Sequence, residues 1–340
     1  MPLVDTNEAV AMKPSLAITM GDPSGIGPEI IASCLESASR ISRPIVFGHW
    51  PTLQQALNDL GANPQIQLME RAKPAEPGII AVVPTEEDGP PIDEQGDRSS
   101  RAQAEALEKA VDSALEGTCD CLATGPVSKE QISRISPGFI GHTEYLAERC
   151  GLARDDVTMI FMSEKLTVGL LATHVPMGRV AQTVTTERYE RTTGHMVALL
   201  KEMHPDKRPR IAIAAFNPHA GEGGLLGSEE AEILEPFCRD IRERVDAEIT
   251  GPTPADTVFR DAMSGRYDGV IAAYHDQAMI PLKLMGNGQT VNVTMGLPFV
   301  RTSPDHGTAH DIARTGVADP AGMRLAINAA VKLWRARTSG

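Results

Sequence analysis

Long apolar runs are absent from this chain of 340 residues. No stretch approaches the ~20 consecutive apolar residues that a membrane span requires. The first residues also lack the basic segment and apolar core of a signal peptide. We therefore expect a soluble, cytoplasmic protein that does not use a membrane as a partner.

Positive charge is scarce. Lys and Arg total 32 against 45 Asp and Glu, which gives a net charge of −13. A protein that binds nucleic acid needs clustered Lys and Arg to neutralise phosphates, so the composition argues against a nucleic-acid partner. Any basic side chain that matters for function must act locally.

Two familiar motifs are also missing. The five cysteines form no C-x-x-C pair and have no zinc-knuckle spacing, which favours buried, reduced thiols. Neither G-x-G-x-x-G nor G-x-x-x-x-G-K-[ST] occurs, so the common glycine-rich dinucleotide and phosphate signatures are excluded.

Short apolar runs alternate with helical patterns along the chain. Runs at 15–20, 44–48, 79–83 and 121–124 predict strands, and the segments between the first of them look helical. This alternation indicates an α/β fold with a mainly parallel sheet. The length suggests two domains. We expect a disordered tail over 1–13, a first domain over 14–127 and 303–340, and a second over 128–302.

Three further apolar runs are each followed by a histidine. The runs begin at residues 168, 210 and 270, and they lead to His174, His219 and His275. Open α/β sheets place their sites at the carboxyl ends of strands, so we expect these imidazoles to share one site. Three imidazoles suit a catalytic divalent metal with an open position, zinc before magnesium, manganese or cobalt. The metal would act as a Lewis acid.

Side chains suited to anions accompany these histidines. Lys283, Asn292 and Arg301 follow His275 at intervals of nine residues, and Arg can grip a phosphate or carboxylate with two hydrogen bonds. His142 precedes a helix, where an anion is favoured. Thr143 beside it has the alternative role of helix N-cap.

Two loops complete the candidate site residues. A glycine-rich turn with Gly21 and Asp22 leads from the first strand into a helix and could cradle a phosphate or a cofactor. Asp256 stands before another helical piece. From the residues alone, the chain is predicted to perform metal-assisted chemistry on a small anionic substrate.

The motifs resemble those of the 4-hydroxythreonine-4-phosphate dehydrogenase family of vitamin B6 biosynthesis, from about Ser15 to about Ala330. The segment HGTAHDIARTGVADP also resembles the adenosine-binding loop of isopropylmalate dehydrogenases. The matching motifs are ITMGDPSGIGPEI, TGPVSKE, GHTEY, THVP, NPHAGEGG, PADT, YHDQ, PLK, VNVTMGLPFVRTS and DHGTA.

This resemblance implies a two-domain α/β/α sandwich like isopropylmalate dehydrogenase, with the active site in the cleft between the domains. It implies a nucleotide-binding first domain, and a homodimer in which the second domain's metal site takes His275 from the partner subunit. By the same resemblance, the substrate and nucleotide positions are His142, Thr143, Lys283, Asn292, Arg301, Gly21, Asp22, His306, Gly307, Thr308 and Asp311.

The implied reaction uses NAD, with NADP as the alternative. A secondary alcohol, that of 4-phosphohydroxy-L-threonine, is oxidised to a β-keto acid that decarboxylates to 3-amino-2-oxopropyl phosphate. Lys283 or a water supplies a proton, and Asp256 is a second candidate for orienting a ligand. D-threonate or D-erythronate 4-phosphate is the alternative substrate, and a non-catalytic metal- or metabolite-binding protein is the alternative of another class.

Overall fold

The computed structural model describes residues 12–87, 89–286 and 288–339. Most of the predicted tail, residues 1–11, lies outside the described residues. The chain divides into two compact units. Unit 1 comprises Met1–Leu152 and Leu297–Gly340, and unit 2 comprises Ala153–Gly296.

The described residues alternate strands and helices along most of the chain. The strands are β1 (Ser15–Thr19), β2 (Arg43–Gly48), β3 (Ile66–Leu68), β4 (Ile80–Pro84), β5 (Cys121–Thr124), β6 (Thr158–Met162), β7 (Thr167–Leu170), β8 (Arg210–Ala214), β9 (Glu248–Thr253), β10 (Gly269–Ala272), β11 (Val291–Met295) and β12 (Val300–Pro304). The helices are α1 (Gly27–Ala32), α2 (Leu35–Ile41), α3 (Trp50–Asp59), α4 (Asp97–Leu115), α5 (Lys129–Ile135), α6 (His142–Arg149), α7 (Thr186–Met203), α8 (Glu235–Arg244), α9 (Ala255–Met263), α10 (His275–Gly286) and α11 (Ala321–Thr338).

The strands of unit 1 run in the order β3, β4, β2, β1, β5, β12, and every pairing among them is parallel. The central strand β1 is buried along its whole length. Its three central residues, Leu16, Ala17 and Ile18, are apolar because a parallel sheet is covered on both faces. The carboxyl ends of β1, β5 and β12 therefore meet at one edge, and the loops that follow them are brought together.

In unit 2 the strand order is β11, β6, β7, β10, β8, β9. Strand β6 is antiparallel to both neighbours, whereas β7, β10, β8 and β9 are mutually parallel. A tight turn explains the antiparallel pair β6 and β7, since Ser163 N donates to Leu166 O at 2.9 Å. The predicted α/β fold with a mainly parallel sheet is confirmed.

The division between the units differs from the one expected after residue 127. Helix α5 belongs to unit 1 because it is bonded to α4 and to the turn after β1. Ser128 N donates to Gln103 Oε1 at 2.7 Å, and Gln131 Nε2 donates to Asp22 Oδ2 at 2.9 Å. These bonds join residues far apart in sequence, which local patterns do not reveal.

None of the helices in the described residues is long and apolar enough to cross a membrane.

Candidate active site

The loops after β1, β5 and β12 pack together at one edge of the unit 1 sheet. Asp22 N donates to Pro126 O at 2.8 Å, and Ile26 N donates to Thr308 O at 2.9 Å. The structure thus brings the glycine-rich turn and the loop of residues 305–311 into contact. This is the juxtaposition expected from parallel strands that end at the same edge.

Close backbone approach accounts for the glycines of the turn. Gly21 has a φ of +73°, and a Cβ atom there would collide with the Pro126 carbonyl oxygen. A Cβ atom at Gly25 would lie 2.6 Å from Thr308 O. The space beside Gly21 is therefore filled by the protein's own backbone.

Asp22 is fully buried, and its carboxylate accepts five hydrogen bonds. Oδ1 accepts from Ser24 N at 2.9 Å, Ser24 Oγ at 2.7 Å and Ser99 Oγ at 2.6 Å. Oδ2 accepts from Gln131 Nε2 at 2.9 Å and is 2.8 Å from His310 Nε2. These bonds satisfy the carboxylate within the chain, so the geometry assigns Asp22 to supporting the 305–311 loop. The direct cofactor contact of Asp22 stays a prediction.

The 305–311 loop offers some groups to a ligand and holds others in place. The His306 ring packs against the start of α11, because a Cβ atom at Gly322 would lie 3.1 Å from its Cδ2. Asp311 is exposed, and a Cβ atom at Gly307 would meet no described atom within 4 Å. The uncovered backbone at Gly307 and the exposed carboxylate of Asp311 are suited to hydrogen-bond with the hydroxyl groups of a nucleotide.

Arg301 is the largest fully buried side chain of the described residues, with 2% exposure, and it lies on β12. Its Nη2 donates to Thr124 Oγ1 at 2.7 Å. Burial lowers the pKa of Arg301 to about 10, and the negative charge of Glu144 opposes that shift. Arg301 therefore remains cationic near neutral pH.

His142 is the first residue of α6. The N-cap is Gly141, so Thr143 does not take the N-cap role that was its alternative. The buried Nε2 of His142 has no hydrogen-bond partner among the described residues. Burial, followed by the positive charges of Arg301 and Lys129, lowers the pKa of His142 well below its usual value. A neutral imidazole beside two cations is suited to bind an anion.

Lys129 was not predicted as a site residue from the sequence. A Cβ atom at Gly141 would lie 3.4 Å from Lys129 Nζ, which places this ammonium at the start of α6. Lys129 follows β5, one of the strands that ends at the loop-bearing edge. Its position after that strand was the signal that could have identified it. We call His142, Thr143, Lys129, Glu144 and Arg301 the anion cluster.

The three predicted histidines follow adjacent parallel strands of unit 2. His174, His219 and His275 come after β7, β8 and β10, whose spatial order is β7, β10, β8. The ring centres of His174 and His275 lie 6.1 Å apart. Two imidazoles on one tetrahedral zinc have ring centres roughly 5 Å apart, given Zn–N distances of about 2.1 Å. In one chain the two rings therefore lie farther apart than two ligands of one zinc ion.

The described part of a single chain does not complete a metal site. Among those residues, no group of three or more His, Cys, Asp or Glu side chains could hold a metal ion. The chemistry of the donors still fits, because His275 Nδ1 lies 2.7 Å from Asp276 Oδ1. A carboxylate on one ring nitrogen orients the imidazole and directs the other nitrogen to the metal.

His219 lies in a left-handed turn, Pro218–Gly224. Three residues there that are not glycine have positive φ, namely His219 at 52°, Ala220 at 55° and Glu222 at 45°. A left-handed conformation costs roughly 1–2 kcal/mol for each such residue. A turn strained in this way persists only where its surroundings hold it in place.

The remaining predicted residues of unit 2 differ in exposure. Asn292 on β11 is 6% exposed, and its buried Oδ1 has no hydrogen-bond partner among the described residues. Lys283 in the last turn of α10 and Asp256 in the first turn of α9 are exposed. Asn292 thus presents an acceptor that a ligand can satisfy, whereas Lys283 and Asp256 are accessible ionisable groups.

The two units together define an α/β protein whose strand ends carry imidazole and anion-binding groups. The sequence model of the family described as pyridoxal phosphate biosynthetic protein PdxA matches residues 40–330. The chain therefore belongs to the PdxA family, as the resemblance of its motifs predicted.

Similar proteins cover nearly the whole chain. A D-threonate 4-phosphate dehydrogenase of Salmonella typhimurium is 41% identical over 331 residues, which are 94% of this chain and 98% of the relative. A 4-hydroxythreonine-4-phosphate dehydrogenase of Desulfosudis oleivorans is 39% identical over 328 residues, with coverage of 94% and 96%. The two names specify different phosphorylated substrates.

Solved structures agree with the fold. The 4-hydroxythreonine-4-phosphate dehydrogenase of Klebsiella pneumoniae has a TM-score of 0.79 and 36% identity, over 95% of this chain and 100% of its own. A β-decarboxylating dehydrogenase of Thermococcus kodakarensis shares the fold at a TM-score of 0.51 and 15% identity, over 93% of this chain and 82% of its own. The predicted relationship to the β-decarboxylating dehydrogenase fold is confirmed.

The lowered pKa of His142 predicts how the stability of the folded chain depends on pH. The unfolded chain protonates this histidine near its usual pKa of about 6.5, but the folded chain does so only at much lower pH. Its stabilising contribution is therefore present above about pH 6.5 and is lost as the pH falls. We expect His142→Gln to lose less thermal stability than the wild type between about pH 7.5 and about pH 5.

Thermal unfolding at several pH values, followed by circular dichroism, measures this difference. The exposed His204 supplies the matched control. His204→Gln should keep the pH dependence of the wild type. The same pH dependence in His142→Gln and the wild type would contradict the prediction.

The bond between His310 and Asp22 predicts the stability of the 305–311 loop. The bond ties the loop to a buried carboxylate, so His310→Leu should speed hydrogen exchange of the loop amides about tenfold, as for a lost hydrogen bond to a charged group. His310→Gln retains a donor and should speed the exchange less. Hydrogen exchange followed by mass spectrometry measures both rates. Equal exchange in His310→Leu and the wild type would refute this role.

Proposed function

We propose that the chain is a metal-assisted, NAD-dependent dehydrogenase of a phosphorylated four-carbon hydroxy acid. The observation that carries the proposal is the anion cluster, in which a buried, charged Arg301 stands beside a neutral His142 with an unused Nε2. Two cations grouped around a neutral imidazole favour an acidic ligand. Membership of a family whose relatives are named dehydrogenases of 4-phosphorylated acids supports the same conclusion.

The first candidate substrate is 4-phosphohydroxy-L-threonine. Removal of a hydride and a proton from its secondary alcohol would give a β-keto acid, with NAD as the hydride acceptor. Carbon dioxide then leaves, a proton is added at the carbon that it left, and 3-amino-2-oxopropyl phosphate results. D-threonate 4-phosphate is the second candidate, favoured by the 41% identical relative of that name.

The chain's own residues bind and orient the substrate. Arg301, with His142 and Thr143, binds one of its acidic groups, because two cations and a neutral imidazole are grouped there. Asn292 Oδ1 accepts a hydrogen bond from a substrate donor. Lys283 Nζ supplies the proton after decarboxylation, and Asp256 is the second candidate for orienting a ligand.

A divalent metal and a nicotinamide cofactor would complete the chemistry. His174, His219 and His275 would hold a divalent metal, zinc before magnesium, manganese or cobalt, which supplies Lewis acidity at the substrate oxygen. The 305–311 loop, through Gly307, Thr308 and Asp311 with His306 in support, would hold NAD, which accepts the hydride. NADP is the alternative, and a homodimer is proposed to supply the third histidine from a partner chain.

The direct test follows NADH formation with 4-phosphohydroxy-L-threonine, D-threonate 4-phosphate and D-erythronate 4-phosphate, each with and without a metal chelator. We expect one phosphorylated acid to turn over with the highest kcat/KM, and the chelator to abolish that activity. If no substrate is oxidised with Zn²⁺, Mg²⁺, Mn²⁺ or Co²⁺ present, the proposed function is wrong.

Mixed variants test whether the metal site is shared between chains. If the partner subunit supplies the third histidine, His174→Ala and His275→Ala chains are each inactive, but a verified heterodimer of the two forms one intact site and regains partial activity. The two rings lie 6.1 Å apart in one chain. A metal site formed within a single chain is therefore the alternative that this experiment tests. No regain would show that His174 and His275 must come from the same chain.

A further inference from the structure

The left-handed turn that carries His219 is anchored by buried carboxylate bonds. Glu230, which begins a single π-helical turn (Glu230–Leu234), is 3% exposed. Its Oε1 accepts from Phe216 N at 2.8 Å and from Asn217 N at 2.7 Å. These donors are the last backbone amides before the turn Pro218–Gly224, so the carboxylate fixes the point where the turn begins.

The same carboxylate also packs against the backbone that follows His219. A Cβ atom at Gly221 would lie 2.9 Å from Glu230 Oε2, so the carboxylate packs directly on the Gly221 backbone. Gly221 itself has a φ of +77°. Glu230 therefore holds the chain two residues before His219 and two residues after it.

The side chain of Asn217 joins this anchor to a second carboxylate. Asn217 Nδ2 donates to Glu230 Oε2 at 2.8 Å and to Glu229 Oε2 at 2.7 Å. Because both hydrogens of the amide are used, its orientation is fixed. If a hydrogen-bond donor stood at position 230, the Asn217 amide could not turn its oxygen toward it without losing the bond to Glu229.

We propose that Glu230 is a positioning residue that holds the left-handed turn in the conformation that presents the His219 imidazole to the metal. The proposal rests on the proposed function, in which His219 is a metal ligand. Three residues that are not glycine have positive φ in this turn, so without the anchor it relaxes toward ordinary backbone conformations. His219 then moves away from the position in which it binds metal.

Glu230→Gln is the sharpest test in the full-length chain. The Gln carbonyl oxygen can keep the two backbone bonds, but its amide faces Asn217 Nδ2, donor against donor, and the bond to Asn217 is lost. We expect about a tenfold or greater loss of Zn²⁺ affinity, the range found when the groups that orient metal ligands are changed. Competition with a chromophoric chelator measures that affinity.

Two further readouts separate positioning from general stability. Hydrogen exchange followed by mass spectrometry should be faster in Glu230→Gln over 216–226 and unchanged elsewhere. Saturating Zn²⁺ should restore kcat, because excess metal fills a site of weakened affinity. The matched control is Glu232→Gln, an exposed residue of the same π turn with the same change of charge. It should behave as the wild type in every readout.

The outcomes divide clearly. Wild-type Zn²⁺ affinity and wild-type exchange over 216–226 in Glu230→Gln would overturn the positioning role while leaving the proposed function intact. A wild-type chain that binds none of Zn²⁺, Mg²⁺, Mn²⁺ and Co²⁺ would overturn the proposed metal site, and the positioning role with it. Weaker Zn²⁺ binding, faster local exchange and recovery at high Zn²⁺ together support the proposal.

Discussion

Neighbouring strands β1, β5 and β12 of unit 1 run parallel, as do β7, β10 and β8 of unit 2, so each strand directs its following residues to one edge. Every candidate site residue except Asp256, Lys283, Asn292 and Arg301 lies in a loop or helix start near these strand ends. The apolar strands supply a rigid support, and the polar residues begin where the sheet's hydrogen bonds end. Parallel pairing thus turns distant sequence segments into two local clusters.

In each unit a buried carboxylate accepts hydrogen bonds from groups of the chain itself. In unit 1 Asp22 accepts five hydrogen bonds and supports the 305–311 loop. In unit 2 Glu230 fixes the residues on both sides of His219. A buried carboxylate is stable only when donors surround it, so each one orders the loops that supply its donors.

The sequence predicted the elements that depend on local pattern. Short apolar runs identified β1, β5, β8 and β10, and the strand-end rule predicted that His174, His219 and His275 follow strands of one sheet. The resemblance of the motifs identified the family and the fold. These inferences succeeded because the formation of a strand and the position of its end depend on contiguous residues.

Contacts between distant segments were not predictable in the same way. Lys129 reaches the start of α6, His310 reaches Asp22, and Glu230 anchors the turn of His219. The sequence does not show which residue each of them contacts. The positive φ values of His219 and Ala220 could not be foreseen either, since such residues avoid this region unless the fold imposes it. The motif NPHAGEGG was recognised in the sequence, but the left-handed turn within it was not predicted.

The anion cluster favours features that the two candidate acids share. Both acids carry a 4-phosphate and a carboxylate, and the cationic groups Arg301 and Lys129 attract either acid through these ends. The acids differ in an amino or hydroxyl group on the second carbon, and the one carboxylate of the cluster, Glu144, already interacts electrostatically with Arg301. Discrimination between the two proposed substrates must therefore come from the groups that face that carbon.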